Sequence, residues 1–177
     1  MGKLIYIGAV LAAIVLIILI AINFNNQEIT KMQLKSNAFE NNGIIPGKYT
    51  ADGENVNPNL EINNAPENAQ SLVLIIDDPD APAGDWVHWI LFNIPADTAL
   101  IEEDKIPYGA VQGMNDFENN NYGGPSPPRG THRYFFKLYA LDSNLDLQEG
   151  ATKQEVEDAM QGHIIGKAQL IGLYSRS

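Results

Sequence analysis

The central part of the chain contains two apolar runs joined by a short proline-containing turn. Leu72–Ile76 is a run of five successive aliphatic residues, and Trp86–Ile94 is a second apolar run. Between them, Pro79 and Pro82 fix φ and lack an N–H, so a β-strand cannot continue through the turn. A run that is apolar on both faces predicts a strand covered on both sides. The stretch therefore predicts two neighbouring strands near the centre of a sheet.

Polar groups lie where these two predicted strands meet. Asp78 and Asp80 are in the turn, and His88 lies within the second apolar run. A carboxylate on a rigid turn beside an imidazole on a buried strand would make the floor of a small polar pocket. The alternative for His88 is a core histidine whose ring is satisfied by a backbone carbonyl, and the residue pattern leaves both open. Strict alternation along this strand predicts one shared face for Trp86, His88, Ile90, Phe92 and Ile94.

A second stretch with several potential ligand-binding residues is the Gly- and Pro-rich segment 122–134, YGGPSPPRGTHRY. A loop that is both stiff and rich in glycine can present backbone N–H groups to an anion. It leads into a predicted strand, 132–141, on which His132 and Tyr134 share a face. Arg133 points the other way, and we expect it to brace the loop through a carboxylate.

The N-terminal segment predicts a membrane anchor. Leu4–Ile22 is 19 residues without a charge, and as a helix it would be roughly 28 Å long, close to the thickness of a bilayer core. Lys3 is the only charge before it, so the positive-inside rule places the folded domain on the extracytoplasmic side of a single-pass membrane protein. A cleaved signal peptide, which would give a secreted form, is the alternative. We divide the chain into 1–27, anchor and start of a tether, and 28–177, the folded domain.

Composition and motifs exclude several function classes. The chain has no cysteine, so disulfides, thiolate zinc sites and cysteine nucleophiles are absent. Its net charge of −11 repels phosphate backbones, so nucleic acid is not a predicted partner. His88, His132 and one carboxylate are a conceivable zinc set, but no paired histidine spacing supports one, so no metal or cofactor is predicted. No Gly-x-Ser-x-Gly motif occurs and Ser126 lies between prolines, so no catalytic residues and no enzymatic activity are predicted.

The C-terminal part predicts one short helix and a final strand. Thr152 and Glu155 have the spacing of a capping box, which would open a helix ending near Gln161. Residues 164–174 then return as a strand.

Taken together, the stretch around Asp78 and His88 and the segment 122–134 resemble sequences of the phosphatidylethanolamine-binding protein family, in its bacterial and archaeal branch. The resemblance covers about residues 34–177 and is carried by three separated motifs in order: Asp78-Pro79-Asp80-Ala81-Pro82, Val87-His88-Trp89 and Gly130-Thr131-His132-Arg133-Tyr134. It implies a mainly β fold with a large, antiparallel-rich sheet packed on a smaller sheet and one short C-terminal helix. With the N-terminal transmembrane helix, this is the predicted fold class. The resemblance also implies an anion-binding pocket formed by Asp78, His88, Gly124, Pro127, Pro128, His132 and Tyr134, with Trp86 and Tyr122 lining it.

These observations predict a ligand-binding protein whose ligand is a small anion or a phosphorylated head group. Imidazole and phenol groups would donate to its oxygens, so binding should strengthen as the pH falls toward about 5.5. The alternative is a protein-interaction module, because the family includes members that inhibit kinases or proteases. A weak hydrolase is the third hypothesis. The membrane, through Leu4–Ile22, and a kinase or protease are the further predicted partners.

Overall fold

The computed structural model describes residues 29–176, and these form two β-sheets and one α-helix. Their strands and helix, named in chain order, are β1 Thr30–Lys31, β2 Gln33–Lys35, β3 Gly43–Ile44, β4 Leu60–Asn63, β5 Ser71–Asp78, β6 Trp86–Pro95, β7 Leu100–Ile101, β8 Val111–Gln112, β9 Thr131–Leu141, α1 Lys153–Met160 and β10 Ile164–Ser175, with a 3-10 turn at Gly47–Tyr49.

The large sheet has the strand order β1-β10-β9-β5-β6-β8, and β3 pairs with a second part of β10. The pairs formed by β5, β6, β8, β9 and β10 with one another are antiparallel, whereas β1 and β3 run parallel to β10. The small sheet has the order β2-β4-β7. The mainly β fold with a large sheet on a smaller one is therefore confirmed.

The central strand β5 is buried along its whole length, as its apolar run predicts. Its alternate residues enter two separate cores. Leu72 and Leu74 pack with Leu60 of the small sheet in what we call the inter-sheet core. Val73 and Ile75 pack with residues of α1 on the other side, in what we call the helix-side core. This alternation follows from the period of two along a strand.

The predicted C-terminal helix is confirmed together with its cap. Thr152 is the N-cap of α1; its side chain accepts from the Glu155 N–H, and the Glu155 carboxylate accepts from the Thr152 N–H at 2.8 Å. Val156 and Met160 form the buried side of this helix.

The prediction of an N-terminal transmembrane helix, and of the single-pass membrane location that rested on it, is corrected. No helix among residues 29–176 is long and apolar enough to cross a membrane. The helix found there, α1, has eight residues, which span only about 12 Å, and charged residues occupy half of its sequence, KQEVEDAM. The segment Leu4–Ile22 itself lies outside the described residues.

Candidate functional site

A cavity of about 270 Å³ lies at one end of the large sheet. Because β5 runs antiparallel to both β6 and β9, the end of β5 lies beside the beginnings of its two neighbours. The chain therefore brings three strand termini and two proline-containing loops to one place. The cavity is lined by Asp78, Ala81, Pro82, Ala83, Trp86, His88, Phe117, Ser126, Pro127, Pro128, His132 and Tyr134.

Asp78 and His132 form a buried pair in the wall of this cavity. The Nδ1 atom of His132 lies 2.7 Å from Oδ2 of Asp78, and the two residues are 6% and 3% exposed. The other carboxylate oxygen of Asp78 accepts from the backbone N–H of Asp80 at 2.8 Å. Both oxygens of Asp78 are thus engaged: Oδ1 holds the carboxylate in place, and Oδ2 fixes the orientation of the His132 ring. With Nδ1 directed at Asp78, the Nε2 atom of His132 is the nitrogen left to bind a ligand.

His88 lies across the cavity and is held by a backbone carbonyl. Its Nδ1 is 2.5 Å from the carbonyl oxygen of Gly123, and because a carbonyl only accepts, Nδ1 carries the proton. Burial lowers the pKa of His88, although the Gly123 carbonyl and the carboxylates of Asp78, Asp77 and Asp116 act in the opposite direction. The ring is therefore neutral at pH 7, and its Nε2 is an acceptor. Both interpretations of His88 apply, since this carbonyl-bound histidine also lines the cavity.

Tyr134 supplies a buried hydroxyl group to the site. The residue is 1% exposed, and its Oη atom is buried with no hydrogen-bond partner among the described residues. Burial, followed by the charge of Asp78, raises the pKa of this phenol above its ordinary value. The hydroxyl is therefore a proton donor at neutral pH. A buried donor without an acceptor is costly, and this one belongs to a residue that lines a cavity.

The beginning of β6 contains a β-bulge at His88. Ile76 pairs with Trp89 and Asp77 with Val87, so His88 has no residue opposite it on β5. As a result His88 and Trp89 turn toward the same side of the sheet. The prediction that Trp86, His88, Ile90, Phe92 and Ile94 share one face is wrong, because β6 has this bulge and a second register shift between its pairings with Leu74 and Leu72. Ile90 and Phe92 lie in the helix-side core, whereas Ile94 lies in the inter-sheet core.

The turn between β5 and β6 is clamped to β9 by an ion pair. Nε and Nη2 of Arg133 donate to the two carboxylate oxygens of Asp80 at 2.8 and 2.7 Å, and the Arg133 backbone N–H adds a third bond. These bonds lower the pKa of Asp80 to about 2. The predicted bond from Arg133 to a carboxylate, which followed from strand parity, is confirmed, but it braces the β5–β6 turn and not the Gly- and Pro-rich loop.

The Asn-rich loop that precedes the Gly- and Pro-rich segment 122–134 is fixed against β6. The amide oxygen of the buried Asn115 accepts from the backbone N–H groups of Phe117 and Asn119, and its nitrogen donates to the Asn121 carbonyl at 2.6 Å. The Asp116 carboxylate accepts from the Val87 N–H at 2.7 Å. This network puts the Phe117 ring into the cavity wall, 5.4 Å from the ring of His88.

Seven of the nine predicted site residues line the cavity: Asp78, Trp86, His88, Pro127, Pro128, His132 and Tyr134. Tyr122 and Gly124 do not line it. The Tyr122 hydroxyl donates to the Tyr49 carbonyl at 2.8 Å, and the Gly124 N–H donates to the side chain of Asn55 at 2.7 Å.

Sequence reasoning did not select five lining residues, namely Ala81, Pro82, Ala83, Phe117 and Ser126. An aromatic residue in a loop of Asn and Gly was the available signal for Phe117, and the position of Ser126 within the proline-rich loop was the signal for that residue. Among residues 29–176, no group of three or more metal-ligating side chains is arranged to hold a metal ion.

Comparisons with known proteins agree with this fold. The family model for the phosphatidylethanolamine-binding protein matches residues 35–175. A UPF0098 protein of Methanothermobacter thermautotrophicus is 53% identical over 150 residues, which are 82% of this chain and 99% of the relative. A crystal structure of a phosphatidylethanolamine-binding protein homologue from Chlamydia trachomatis has a TM-score of 0.80 at 41% identity and covers 84% of this chain and 99% of that one. The crystal structure of YbcL from E. coli, described as a new member of the mammalian family, has a TM-score of 0.78 at 30% identity, over 82% of this chain and 99% of that one.

Proposed function

The chain belongs to the phosphatidylethanolamine-binding protein family, in its bacterial and archaeal branch, and we propose that its cavity binds a small anion with phosphate-type oxygens. The observation that carries the proposal is the Tyr134 hydroxyl, a buried donor for which residues 29–176 supply no acceptor. It belongs to the same cavity as the His132 ring that Asp78 holds in place. An anionic oxygen between these two groups would accept from both.

The three polar groups of the cavity fit a singly protonated phosphate or phosphomonoester. Tyr134 donates, and His132 donates through Nε2 when it carries a second proton. His88 is neutral and offers a lone pair on Nε2, which can accept from a P–OH group.

The remaining walls limit the size of the ligand. They consist mainly of the rings and apolar side chains of Trp86, Phe117, Pro82, Pro127 and Pro128. A volume of about 270 Å³ lies slightly below the usual range for small-molecule sites, about 300–1,000 Å³. The ligand is therefore a free anion or a head group with a short organic arm, rather than a whole lipid.

Imidazole NMR signals test this proposal directly, because the chain has three histidines. Inorganic phosphate or phosphoethanolamine, titrated near pH 6, should shift the signals of His88 and His132. His163 is an internal control, since its Nδ1 is paired with Asp142 and it does not line the cavity. The proposal fails if no signal moves at millimolar ligand, or if the His163 signal moves as much as the other two.

A further inference from the structure

We propose that a notch on the open edge of β10, on a surface separate from the cavity, binds an extended acidic segment of a partner protein. The notch is defined by the outer edge of β10 between its contacts with β1 and β3, together with the side chains around it. Its volume is about 1020 Å³, and it is lined by Lys31, Met32, Gln33, Leu34, Lys35, Ser36, Asn37, Phe39, Glu40, Asn41, Glu61, Lys137, Tyr139, Lys167, Ala168, Gln169 and Leu170.

The edge of β10 is uncovered over a short stretch. β1 pairs with it at Gly166 and Lys167, and β3 pairs with it at Gly172 and Leu173. Among the described residues, no strand pairs with the outer edge of β10 between these two contacts. A strand edge without a neighbour is a template for pairing with another chain.

The backbone of Gln169 points out of this edge. The Lys167 carbonyl accepts from the Met32 N–H at 3.0 Å, and the Ile171 carbonyl accepts from the Asn42 N–H at 2.7 Å. Both bonds lie on the side of β10 away from β9. Because the direction of backbone groups alternates along a strand, the N–H and C=O of Gln169 face the same way. An extended segment entering the notch could bond to both groups.

The charges around the notch favour an acidic occupant. The side chains of Lys31, Lys35 and Lys167 are exposed, and none has an acidic partner within ion-pair distance in the described part of the chain. Only two acids, Glu40 and Glu61, are among the lining residues. Lys35 lies directly opposite Glu61 across the β2–β4 pair, so among the described residues Lys31 and Lys167 are the exposed lysines of the notch without an acid opposite them in the strand register.

The strand register strengthens this argument. Lys31 and Lys167 are direct partners across the β1–β10 pair, and like charges placed directly opposite each other are destabilising. A carboxylate beside them would relieve that repulsion. The same lysines disfavour a second copy that presents its own β10 edge, because lysine would then meet lysine. A strand with acids at alternate positions and apolar residues between them matches the notch, since Leu34, Phe39 and Leu170 form its buried apolar side.

Fluorescence anisotropy with labelled peptides tests the proposal. The probe is an eight-residue peptide of alternating Glu and Val, and the comparison peptide has Lys in place of Glu. The acidic peptide should bind at low salt, and binding should weaken as salt is raised from about 0.02 to 0.3 M. The double variant Lys31→Gln/Lys167→Gln should bind it about three- to tenfold more weakly. The matched control, Lys48→Gln/Lys105→Gln, removes the same charge away from the notch and should bind as the wild type does.

Three further measurements decide the mode of binding. Hydrogen exchange of the Gln169 amide should slow on addition of the peptide if the edge pairs with it, and unchanged exchange overturns the proposal. The variant His132→Ala should bind the peptide normally, so a failure of the cavity proposal does not affect this one. Binding to vesicles of anionic and neutral lipids without peptide binding, or self-association in sedimentation, would assign the notch to another occupant and overturn the proposal.

Discussion

Asp77 and Asp78 are adjacent at the end of β5, but their carboxylates lie on opposite faces of the large sheet. Asp78 pairs with His132 in the cavity at 2.7 Å. Asp77 accepts from the ammonium groups of Lys137 and Lys153, each at 2.6 Å, and Lys153 is the first residue of α1. One strand end therefore positions the cavity on one face and holds the helix on the other.

We expect a large loss of stability when the charge of the Asp77 carboxylate is removed. It is fully buried and pairs with two lysines, so Asp77→Asn leaves Lys137 without an ion-pair partner among the described residues, whereas Lys153 keeps Asp85. Breaking a buried pair from one side costs about 3–5 kcal/mol, and we expect a loss in that range in urea unfolding. Lys137→Met is the matched control and should cost less, because Lys153 still neutralises Asp77. Equal losses in the two variants would contradict this assignment.

We expect removal of the Tyr134 hydroxyl and removal of the Tyr122 hydroxyl to have opposite effects on phosphate binding and on stability. Tyr134→Phe should weaken phosphate binding by about tenfold or more, because a hydrogen bond to a charged group contributes about 1.5–3 kcal/mol. Its unfolding free energy should not fall, since the hydroxyl has no hydrogen-bond partner in the part of the chain that the structure describes. Tyr122→Phe removes the bond to the Tyr49 carbonyl and should lower stability by about 1 kcal/mol with binding unchanged. Calorimetric titration and urea unfolding of both variants check the pair, and a reversed pattern would refute it.

We expect the protein to lose stability in mildly acidic solution because of His88. Burial lowers its pKa from the ordinary value of 6.5, so below that pH the unfolded chain binds a proton that the folded chain does not. Stability then falls as the pH falls from 6.5 toward the lowered pKa of the folded state. His88→Gln, which keeps an N–H donor but does not titrate, should show a smaller drop in melting temperature between pH 7.5 and 5.0. An identical drop in wild type and variant would show that His88 does not contribute.

We expect an added methyl group to lower stability at Gly124 and to change phosphate affinity at Gly123. A Cβ on Gly124 would lie 2.7 Å from the Tyr49 carbonyl oxygen, which is backbone, so Gly124→Ala should cost about 1–3 kcal/mol of stability. A Cβ on Gly123 would lie 2.5 Å from the ring of Phe117, a cavity-wall side chain that can move. Gly123→Ala should therefore change phosphate affinity several-fold at a smaller cost in stability. Binding and unfolding measured on both variants separate the two effects, and a fully stable Gly124→Ala protein would contradict the first.

The regular part of the site was predictable from local pattern. On β9, buried and exposed residues alternate as the sequence indicates, so His132 and Tyr134 share a face and Arg133 turns to Asp80. β6 was not predictable in the same way. Its residues are apolar on both faces, so the pattern contains no signal for the bulge at His88 that changes its register.

Contacts between distant segments account for the remaining differences between the predicted and the observed site. The position of Phe117 depends on bonds that Asn115 and Asp116 make within the loop and to β6, and single-residue patterns do not reveal such pairings. Tyr122 and Gly124 were included through resemblance to the family, and the structure places them against the backbone and side chains of residues 49–55, outside the lining of the cavity.

A crystal structure of the protein with phosphoethanolamine tests the central claim most directly. The account predicts phosphate oxygens within about 2.6–3.2 Å of Tyr134 Oη and His132 Nε2, with His88 Nε2 facing a P–OH group. A phosphate bound elsewhere on the surface, or a cavity that holds only water at saturating ligand, would contradict it.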